Sequence, residues 1–198
     1  EVPAQDPAAA ARVVAAGCSR AIDVGTVETR HFLNVVGFGF DIAVIEDSWR
    51  VRFLRGAPLY LYCAVRQLYG FPGFGVEMAV DGQPGASADM LMLIIANGRV
   101  FGGGFRIAPA ADLADGQLDL VAFANMPRRR RFPIMLSLLR GTHAAAPEVT
   151  TGRAASYRLR FPGPPAYETD GEWNRATSSD LTIGTRPAAL RVLVPAGA

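Results

Sequence analysis

Short runs of hydrophobic residues, broken by Gly, Pro and Asp-Gly pairs, occupy most of the chain after residue 73. Runs of this length predict β-strands, and their regular spacing is typical of sheets that pack face to face. Two earlier runs, on either side of the polar residues at 28–30, have the same character. The predicted strands cover 21–27, 31–36, 74–82, 88–98, 116–124, 155–161, 165–171, 180–185 and 189–194.

Three other segments predict helices. The first has Asp6 at its N-cap, Pro7 in its first turn and Gly17 at its C-cap, which suit the two ends of a helix. The second has hydrophobic residues near helical spacing and ends at a Gly and a Pro, and the third ends at a Gly. Because strands outnumber helices, we expect a mostly β fold, a two-sheet antiparallel β-sandwich with a few helices. The predicted helices cover 7–16, 57–69 and 128–140.

Composition and charge exclude several classes of protein. The 198 residues suffice for about one domain, and half of them are hydrophobic, so a sizeable core can form. The formal net charge of +2 is too small to indicate nucleic-acid binding, although all 20 basic residues are Arg. Two cysteines without CxxC spacing, Cys18 and Cys63, and two distant histidines, His31 and His143, disfavour a disulfide framework or a zinc site.

The chain has no visible signal peptide, and its longest strongly apolar run, 90–96, is too short to span a bilayer. We therefore expect a cytoplasmic protein. The sequence begins at Glu1, without Met, in an Ala-rich segment. This start predicts that the chain is the middle of a longer protein. Composition does not indicate an oligomeric state.

Two glycines in the segment VVGFGFDIAV, 35–44, suggest a nucleotide-binding loop. The dinucleotide fingerprint requires a third Gly three positions after Gly39, where this chain has Ile42. We therefore favour a tight turn at which the backbone must approach its neighbours closely.

An acidic loop follows three glycines in the segment 99–120. An EF-hand beginning at Asp112 is excluded, because Ala, Gly and Phe occupy three of its ligand positions. Asp112 and Asp115, three residues apart, can still hold one hard cation together with a turn carbonyl. The alternative is that Asp115-Gly116 simply forms a hairpin turn.

The segment YETDGEW, 167–173, allows a similar pair of interpretations. Asp170-Gly171 predicts a turn. Three carboxylates within five positions, Glu168, Asp170 and Glu172, repel one another, and such crowding can raise a pKa into the range of a general base.

Four consecutive arginines, Arg128 to Arg131, open the third predicted helix. Positive charge there opposes the helix dipole. The run is either a solvated helix entry or a site that attracts an anionic membrane surface, such as the inner face of the cell membrane.

Five segments of this chain occur together, in this order, in one family. From Ala21 to Pro195 the sequence resembles the C-terminal region of the diacylglycerol kinase catalytic family, which comprises bacterial soluble lipid kinases related to sphingosine and ceramide kinases. The segments that carry the resemblance are AIDVGTV…RHFLNVVGFGFDIAV, ANGRVFGGGFRIAPAADLADGQLDLV, LLRGTH, DGEW and PAALRVLVP.

The resemblance implies a two-domain kinase with its active site between the domains. Residues 1–17 would form a lead-in helix from the interdomain region, and 18–198 the C-terminal β-sandwich domain. The N-terminal nucleotide-binding domain, with the family's Gly-Gly-Asp-Gly-Thr phosphate loop, is absent from these residues. The parent protein is therefore expected to be a kinase, and the isolated chain to be inactive.

The resemblance also implies roles for particular residues. Asp112, Asp115 and the carbonyl of Gln117 match the family's magnesium site, and Glu172 matches its proposed general base, with Asp170 beside it. The implied reaction transfers the γ-phosphate of ATP to a lipid hydroxyl such as that of diacylglycerol, within phospholipid metabolism. Two alternatives stay open: a non-catalytic β-sandwich that binds a lipid or a partner, and a sugar or nicotinamide-nucleotide kinase of related architecture.

Overall fold

The computed structural model describes residues 6–102 and 104–197. Residues 1–5 of the predicted lead-in segment lie outside this part. The helices are α1 Pro7–Ala16, α2 Phe40–Ser48, α3 Ala57–Gly70 and α4 Arg128–Arg140, with one 3₁₀ turn at His143–Ala145. The strands are β1 Ser19–Val27, β2 Arg30–Phe32, β3 Val35–Gly39, β4 Phe74–Val80, β5 Ser87–Ala96, β6 Leu118–Ala124, β7 Val149–Ala154, β8 Ser156–Arg160, β9 Ala166–Thr169, β10 Glu172–Arg175 and β11 Asp180–Leu193.

The eleven strands of the described residues form one antiparallel sheet in the order β10-β9-β3-β5-β4-β8-β11-β1-β2, and β6 and β7 branch from β5. Strand β5 is the branch point: β4 and β3 pair with its two halves on one edge, and β6 pairs along the other. The mostly β, sandwich-like prediction is confirmed. The two layers are not separate sheets, however, because hydrogen bonds join them into a single curled sheet.

Strand β5 also separates two hydrophobic cores. Leu93 and Ile95 face a core that is enclosed by the curl of the sheet. Met92 and Ile94 face a second core, which α2, α3 and α4 cover. Successive side chains of a strand point to opposite faces, so a strand that is buried on both faces has no polar position. This explains the uninterrupted apolar run at 90–96.

The three predicted helices are confirmed, with α3 one residue longer than expected. Asp6 caps α1 as predicted, because its Oδ1 accepts a hydrogen bond from Ala9 N at 2.9 Å, and Gly17 ends the helix with a φ of 64°. No helix in the described part of the chain is long and apolar enough to cross a bilayer.

Helix α2 is the main element that the sequence did not predict. The segment 35–44 is strand β3 followed directly by α2, rather than only a tight turn. The expected close approach does occur at Gly39, which has a φ of 98° and where a Cβ would lie 2.8 Å from the Leu91 carbonyl oxygen. The helix was missed because a short apolar run has the same pattern in a buried helix as in a buried strand.

The strands differ from the prediction at four places. The single strand predicted at 31–36 is divided between β2 and β3. Strands β7 and β10 were not predicted, and the two runs at 180–185 and 189–194 are one long strand, β11. Strand β11 continues through Pro187 because three of its residues bulge opposite Asp23: Ile22 pairs with Leu190 and Val24 with Arg186. A bulge accommodates a proline that a regular ladder would not.

Candidate active site

The candidate site lies at the β9–β10 hairpin. Asp170 and Gly171 connect the strands with φ values of 52° and 92°. Two positive φ values at the centre of a two-residue turn define the type I′ hairpin, which matches the natural twist of the strands. The predicted turn is therefore present, and Glu172 begins β10 directly after it.

Asp170 ties this hairpin to the neighbouring turn between β2 and β3. Its carboxylate accepts hydrogen bonds from the backbone nitrogens of Leu33, Asn34 and Val35 at 2.7, 2.9 and 2.9 Å. Bonds from backbone amides to a carboxylate are stronger than bonds between neutral groups. With both oxygens engaged in this way, Asp170 is a structural anchor in this conformation.

Glu172 has a different environment. The residue is exposed, and it is its backbone carbonyl that accepts a hydrogen bond, from Asn174 Nδ2 at 2.8 Å. The carboxylate therefore projects from a rigid hairpin into open space. Of the two acidic residues predicted here, Glu172 is the one whose side chain is accessible to a reactant.

A buried pair of carboxyl groups lies directly behind the hairpin. Glu168 is fully buried and Asp41, on α2, is 7% exposed. A Cβ at Gly37 would collide with Asp41 Oδ2 and lie 2.9 Å from Glu168 Oε1, so both groups occupy the space beside that glycine. Glu168 Oε2 accepts a hydrogen bond from Gly171 N at 2.5 Å, which links the pair to the turn.

Burial determines the protonation of this pair. Three of its oxygens, both of Asp41 and Oε1 of Glu168, have no hydrogen-bond partner among the described residues. Burial raises the pKa of Asp41, and burial together with the charge of Asp41 raises the pKa of Glu168. Two adjacent buried carboxylates cannot both ionise at low cost, so the pair retains a proton near neutral pH.

The sequence placed Glu168 in the acidic cluster but gave no sign of its partner. Asp41 is 127 positions away in the chain, and only the pairing of β3 with β9, which sets Gly37 opposite Glu168, brings α2 to this hairpin. The pairing of Gly37 with Glu168 and the burial of the two carboxyl groups produce no periodic pattern of residues in the sequence.

An apolar cleft of about 450 Å³ lies beside the hairpin. Its wall contains four phenylalanines, and Glu46 and Arg175 form polar positions on it. Trp173 connects the cleft to the hairpin, because its Nε1 donates to Glu46 Oε1 at 3.1 Å. Clefts of this size and character are typical of binding sites for small apolar groups. The phenylalanines are Phe38, Phe71, Phe74 and Phe161.

The predicted metal residues share one loop before β6. Asp112 Oδ1 accepts from Ala114 N and from Arg20 Nη2, both at 3.1 Å, and Asp115 Oδ1 accepts from Gln117 N at 3.0 Å. The carboxylates thus shape the loop. No cluster of three or more potential metal ligands was found in residues 6–102 and 104–197.

Asp23 holds this acidic loop in place, which the sequence analysis missed. Its side chain is buried, with Oδ2 accepting from Gly116 N at 2.7 Å and Oδ1 accepting from Ala188 N at 2.8 Å. Its own backbone N donates to the Leu113 carbonyl at 2.6 Å. One buried aspartate therefore joins β1, the acidic loop and β11.

The arginine run at the start of α4 is not uniformly solvated. Arg131 is buried and donates to backbone carbonyls of Met126, Leu68 and Phe71, and to the Asn125 side chain. Arg130 forms an ion pair with Glu148 at 2.7 Å. Only the first two arginines of the run lack such partners in the described structure.

Comparison with known proteins assigns the class. Residues 34–194 match the family described as the YegS C-terminal NAD kinase beta sandwich-like domain. The chain belongs to this family.

Relatives of this chain include proteins named diacylglycerol kinase. It is 30% identical over 199 residues to a diacylglycerol kinase of Mycobacterium tuberculosis, an alignment that covers 98% of this chain and 63% of that protein. It is 26% identical over 174 residues to a diacylglycerol kinase of Bacillus subtilis, covering 87% of this chain and 57% of that protein. The chain thus spans about three fifths of the length of these relatives.

Solved structures share the fold. A crystal structure of a diacylglycerol kinase from Bacillus anthracis superposes with a TM-score of 0.68 at 17% identity, covering 98% of this chain and 61% of that one. The resemblance that the sequence motifs indicated is thereby confirmed at the level of family and fold.

Proposed function

We propose that this chain is the C-terminal part of an ATP-dependent lipid kinase, which transfers the γ-phosphate of ATP to a lipid hydroxyl such as that of diacylglycerol. Family membership and the names of the relatives support a kinase. One observation carries the proposal further: the hairpin exposes the Glu172 carboxylate, and the next residue, Trp173, donates a hydrogen bond to Glu46 in the wall of the apolar cleft.

In this proposal Glu172 is the general base. Its carboxylate accepts the proton of the lipid hydroxyl while the hydroxyl oxygen forms a bond to the γ-phosphorus and the bond to the departing ADP breaks. Phosphoryl transfer depends mainly on positioning and electrostatics, so one well-placed carboxylate is sufficient acid–base chemistry for the protein. ATP would be held by a nucleotide-binding domain outside these residues, so this part of the protein supplies the base and the surface for the acceptor.

Asp170 has a positioning role here. Its three backbone hydrogen bonds hold the hairpin against the β2–β3 turn, while Glu168 holds Gly171 from the other side. Together they restrict the motion of the residue that follows, which is Glu172.

Magnesium is part of the proposal. Asp112, Asp115 and the Gln117 carbonyl supply oxygen ligands, which a hard cation prefers, and they lie on one tight loop. Bound there, Mg²⁺ would order the loop and add positive charge near phosphates. The ion pairs of Asp112 with Arg20 and of Asp115 with Arg153 would have to loosen. A melting temperature that rises with MgCl₂ in the wild type but not in Asp115→Ala is the expected result, and equal responses would exclude this loop.

The test of the function uses the protein that contains this chain together with its ATP-binding domain. Glu172→Gln keeps the shape of the side chain but removes the basic oxygen, so kcat for diacylglycerol phosphorylation is expected to fall about 10²–10⁴-fold. The KM for ATP should stay nearly unchanged. The matched control is Glu77→Gln, an exposed glutamate on β4, which should retain wild-type turnover.

A second function stays open on a specific observation. The chain contains no Gly-Gly-Asp-Gly-Thr phosphate loop. A non-catalytic lipid-binding β-sandwich does not require such a loop, so its absence from these residues is compatible with that function. If lipid binds in the apolar cleft while the protein with its ATP-binding domain transfers no phosphate, this alternative replaces the kinase proposal.

A further inference from the structure

Two segments, helix α3 with the loop that precedes it and helix α4, carry an unusual share of the positive charge. Residues 49–70 and 128–140 contain nine of the 20 arginines and none of the 18 acidic residues. The rest of the chain is left with eleven arginines and all 18 carboxylates. The small net charge of the chain therefore conceals a strong asymmetry. We refer to the exposed side chains of these two segments as the basic apolar face.

The same two segments expose most of the large hydrophobic side chains. Ten of the sixteen that are exposed in the described structure belong to them. Phe53 is 72% exposed and Leu61 67% exposed, and Phe132 and Leu136 on α4 are about half exposed. Scattered apolar residues on a surface are ordinary, but a concentration of them marks an interaction site.

Arg131 connects the two segments into one unit. Its guanidinium, on α4, donates to the carbonyls of Leu68 and Phe71 at the end of α3, at distances of 3.0 and 2.8 Å. A cation at this position also complements the negative end of the helix dipole of α3. The end of α3 and the start of α4 are therefore direct neighbours in the basic apolar face.

Most of its arginines have no acidic partner in the described structure. Ion pairs are formed by Arg66, with Asp47 at 3.2 Å, and by Arg130, with Glu148 at 2.7 Å. Arg131 is buried. The remaining six arginines stand among exposed apolar and aromatic side chains and form no ion pair within residues 6–102 and 104–197. They are Arg50, Arg52, Arg55, Arg128, Arg129 and Arg140.

This chemistry selects the occupant. A second copy of the chain, docked through the same face, would bring like charges together. A nucleic acid would neutralise the arginines but would leave exposed aliphatic side chains such as Leu61 and Leu136 in water. A bilayer with anionic lipids satisfies both features, because its headgroups attract arginines and its interface accepts Trp, Tyr, Phe and Leu.

We propose that the basic apolar face docks on an anionic lipid bilayer, with Phe53 and Leu61 inserted at the interface and the six arginines near the headgroups. The face is continuous with the candidate site, because the rings of Trp49 and Trp173 meet edge to face with centroids 5.5 Å apart. Trp173 directly follows Glu172. This proposal rests on the proposed function in one respect: docking would serve to bring the β9–β10 hairpin to a lipid acceptor.

The test is binding of this chain to vesicles, measured by cosedimentation without ATP. We expect it to bind vesicles of phosphatidylcholine with 30% phosphatidylglycerol much more strongly than pure phosphatidylcholine. One kcal/mol per surface arginine corresponds to about fivefold in partitioning. The triple variant Arg50→Gln, Arg52→Gln, Arg55→Gln should therefore lose about 100-fold. The double variant Phe53→Ser, Leu61→Ser should lose about tenfold or more.

Matched controls come from β11, outside both segments. Arg186→Gln with Arg191→Gln removes exposed charge, and Leu193→Ser removes a half-exposed apolar side chain. Both should bind within about twofold of wild type, apart from the small effect of net charge. A second readout needs no destabilising variant: vesicles should shift the tryptophan emission of the wild type to the blue, and Trp49→Phe should lose most of this shift.

The possible outcomes separate this proposal from the proposed function. If vesicle binding depends on these residues, the docking proposal is supported even if no kinase activity is ever found. Absence of binding to anionic vesicles overturns it, even if the protein with its ATP-binding domain phosphorylates diacylglycerol in detergent. Equal vesicle binding by all variants also overturns it. So does a chain that binds no vesicles but self-associates, if the Phe53/Leu61 variant abolishes that self-association.

Discussion

At the scale of single residues, the carboxylates of the candidate site differ in what they contact rather than in their chemistry. Asp170 is saturated by three backbone amides, Glu168 is buried against Asp41, and Glu172 is exposed. These environments separate structural carboxyl groups from the exposed one, which is the proposed general base. The separation makes two predictions in addition to the test of Glu172.

Asp170→Asn should destabilise the fold, unlike Glu172→Gln. Asn tolerates the positive φ at this position, so the backbone is not strained. The amide has one acceptor oxygen and cannot accept from all three backbone N–H groups. Its NH₂ group is itself a donor and would face one of these N–H donors. We expect the free energy of unfolding to fall by about 1–3 kcal/mol in urea denaturation. An unchanged midpoint would mean that these bonds do not hold the hairpin, and that any loss of activity in Asp170→Asn has a chemical cause.

The buried pair should make stability depend on pH. Burial holds the pKa of Asp41 and of Glu168 above the values of about 4 that carboxyl groups have in an unfolded chain. The folded state therefore keeps a proton that the unfolded state has released, so this contribution is present at low pH and is lost as pH rises through the folded pKa values. We expect the free energy of unfolding to fall between pH 5 and 8, by up to about 1.4 kcal/mol per pH unit for each of the two groups.

Glu168→Gln isolates this effect. Its amide can accept from Gly171 N and donate to an ionised Asp41, so the variant should lose most of the pH slope. Glu77→Gln, with an exposed carboxylate, should keep the slope of the wild type. If Glu168→Gln and the wild type showed the same slope in thermal melts, some other group would be responsible.

At the scale of elements, the position of α2 depends on a glycine in the adjacent strand. Gly37 on β3 leaves room for the carboxyl groups of Asp41 and Glu168. Without that space, α2 could not follow β3 so closely, and the buried pair could not form behind the hairpin.

Gly37→Ala tests this packing. The added methyl group would collide with Asp41 and press on Glu168, so we expect a loss of about 1–3 kcal/mol in the free energy of unfolding. Gly75→Ala, on β4, is the matched control, because a Cβ there has no neighbour within 4 Å. It should be neutral or slightly stabilising. Equal effects of the two substitutions would show that chain entropy, rather than the contact at Gly37, explains the result.

At the scale of the whole molecule, the domain supplies an apolar cleft, a hairpin and a charged face, but its sequence has no phosphate loop. We therefore expect calorimetry to detect no ATP binding by this chain tighter than about 1 mM. Addition of Mg²⁺ should not change that result. Micromolar binding would place a nucleotide site within these residues and would contradict the proposed division of labour between domains.

The sequence by itself determined the elements whose signals are local. Helix α1 follows from its caps, and the strands that alternate with glycine turns follow from their regular spacing. The Asp170-Gly171 turn follows from the backbone freedom of glycine. The motif order also indicated the family, since the five segments share their succession with lipid kinases. Apart from the order of the motifs, these signals come from neighbours within a few positions along the chain.

Only the tertiary structure decided which of these residues meet. Pairing of β3 with β9 brings Asp41 to Glu168, the bulge of β11 brings Ala188 to Asp23, and Arg131 crosses from α4 to α3. The same packing determines that Asp170 accepts hydrogen bonds from the β2–β3 turn while Glu172 stays exposed. Contacts between residues that are far apart in sequence depend on register and burial, and a single sequence records neither. For that reason the contacts of Asp41, Asp23 and Arg131 could be recognised only once the fold was known.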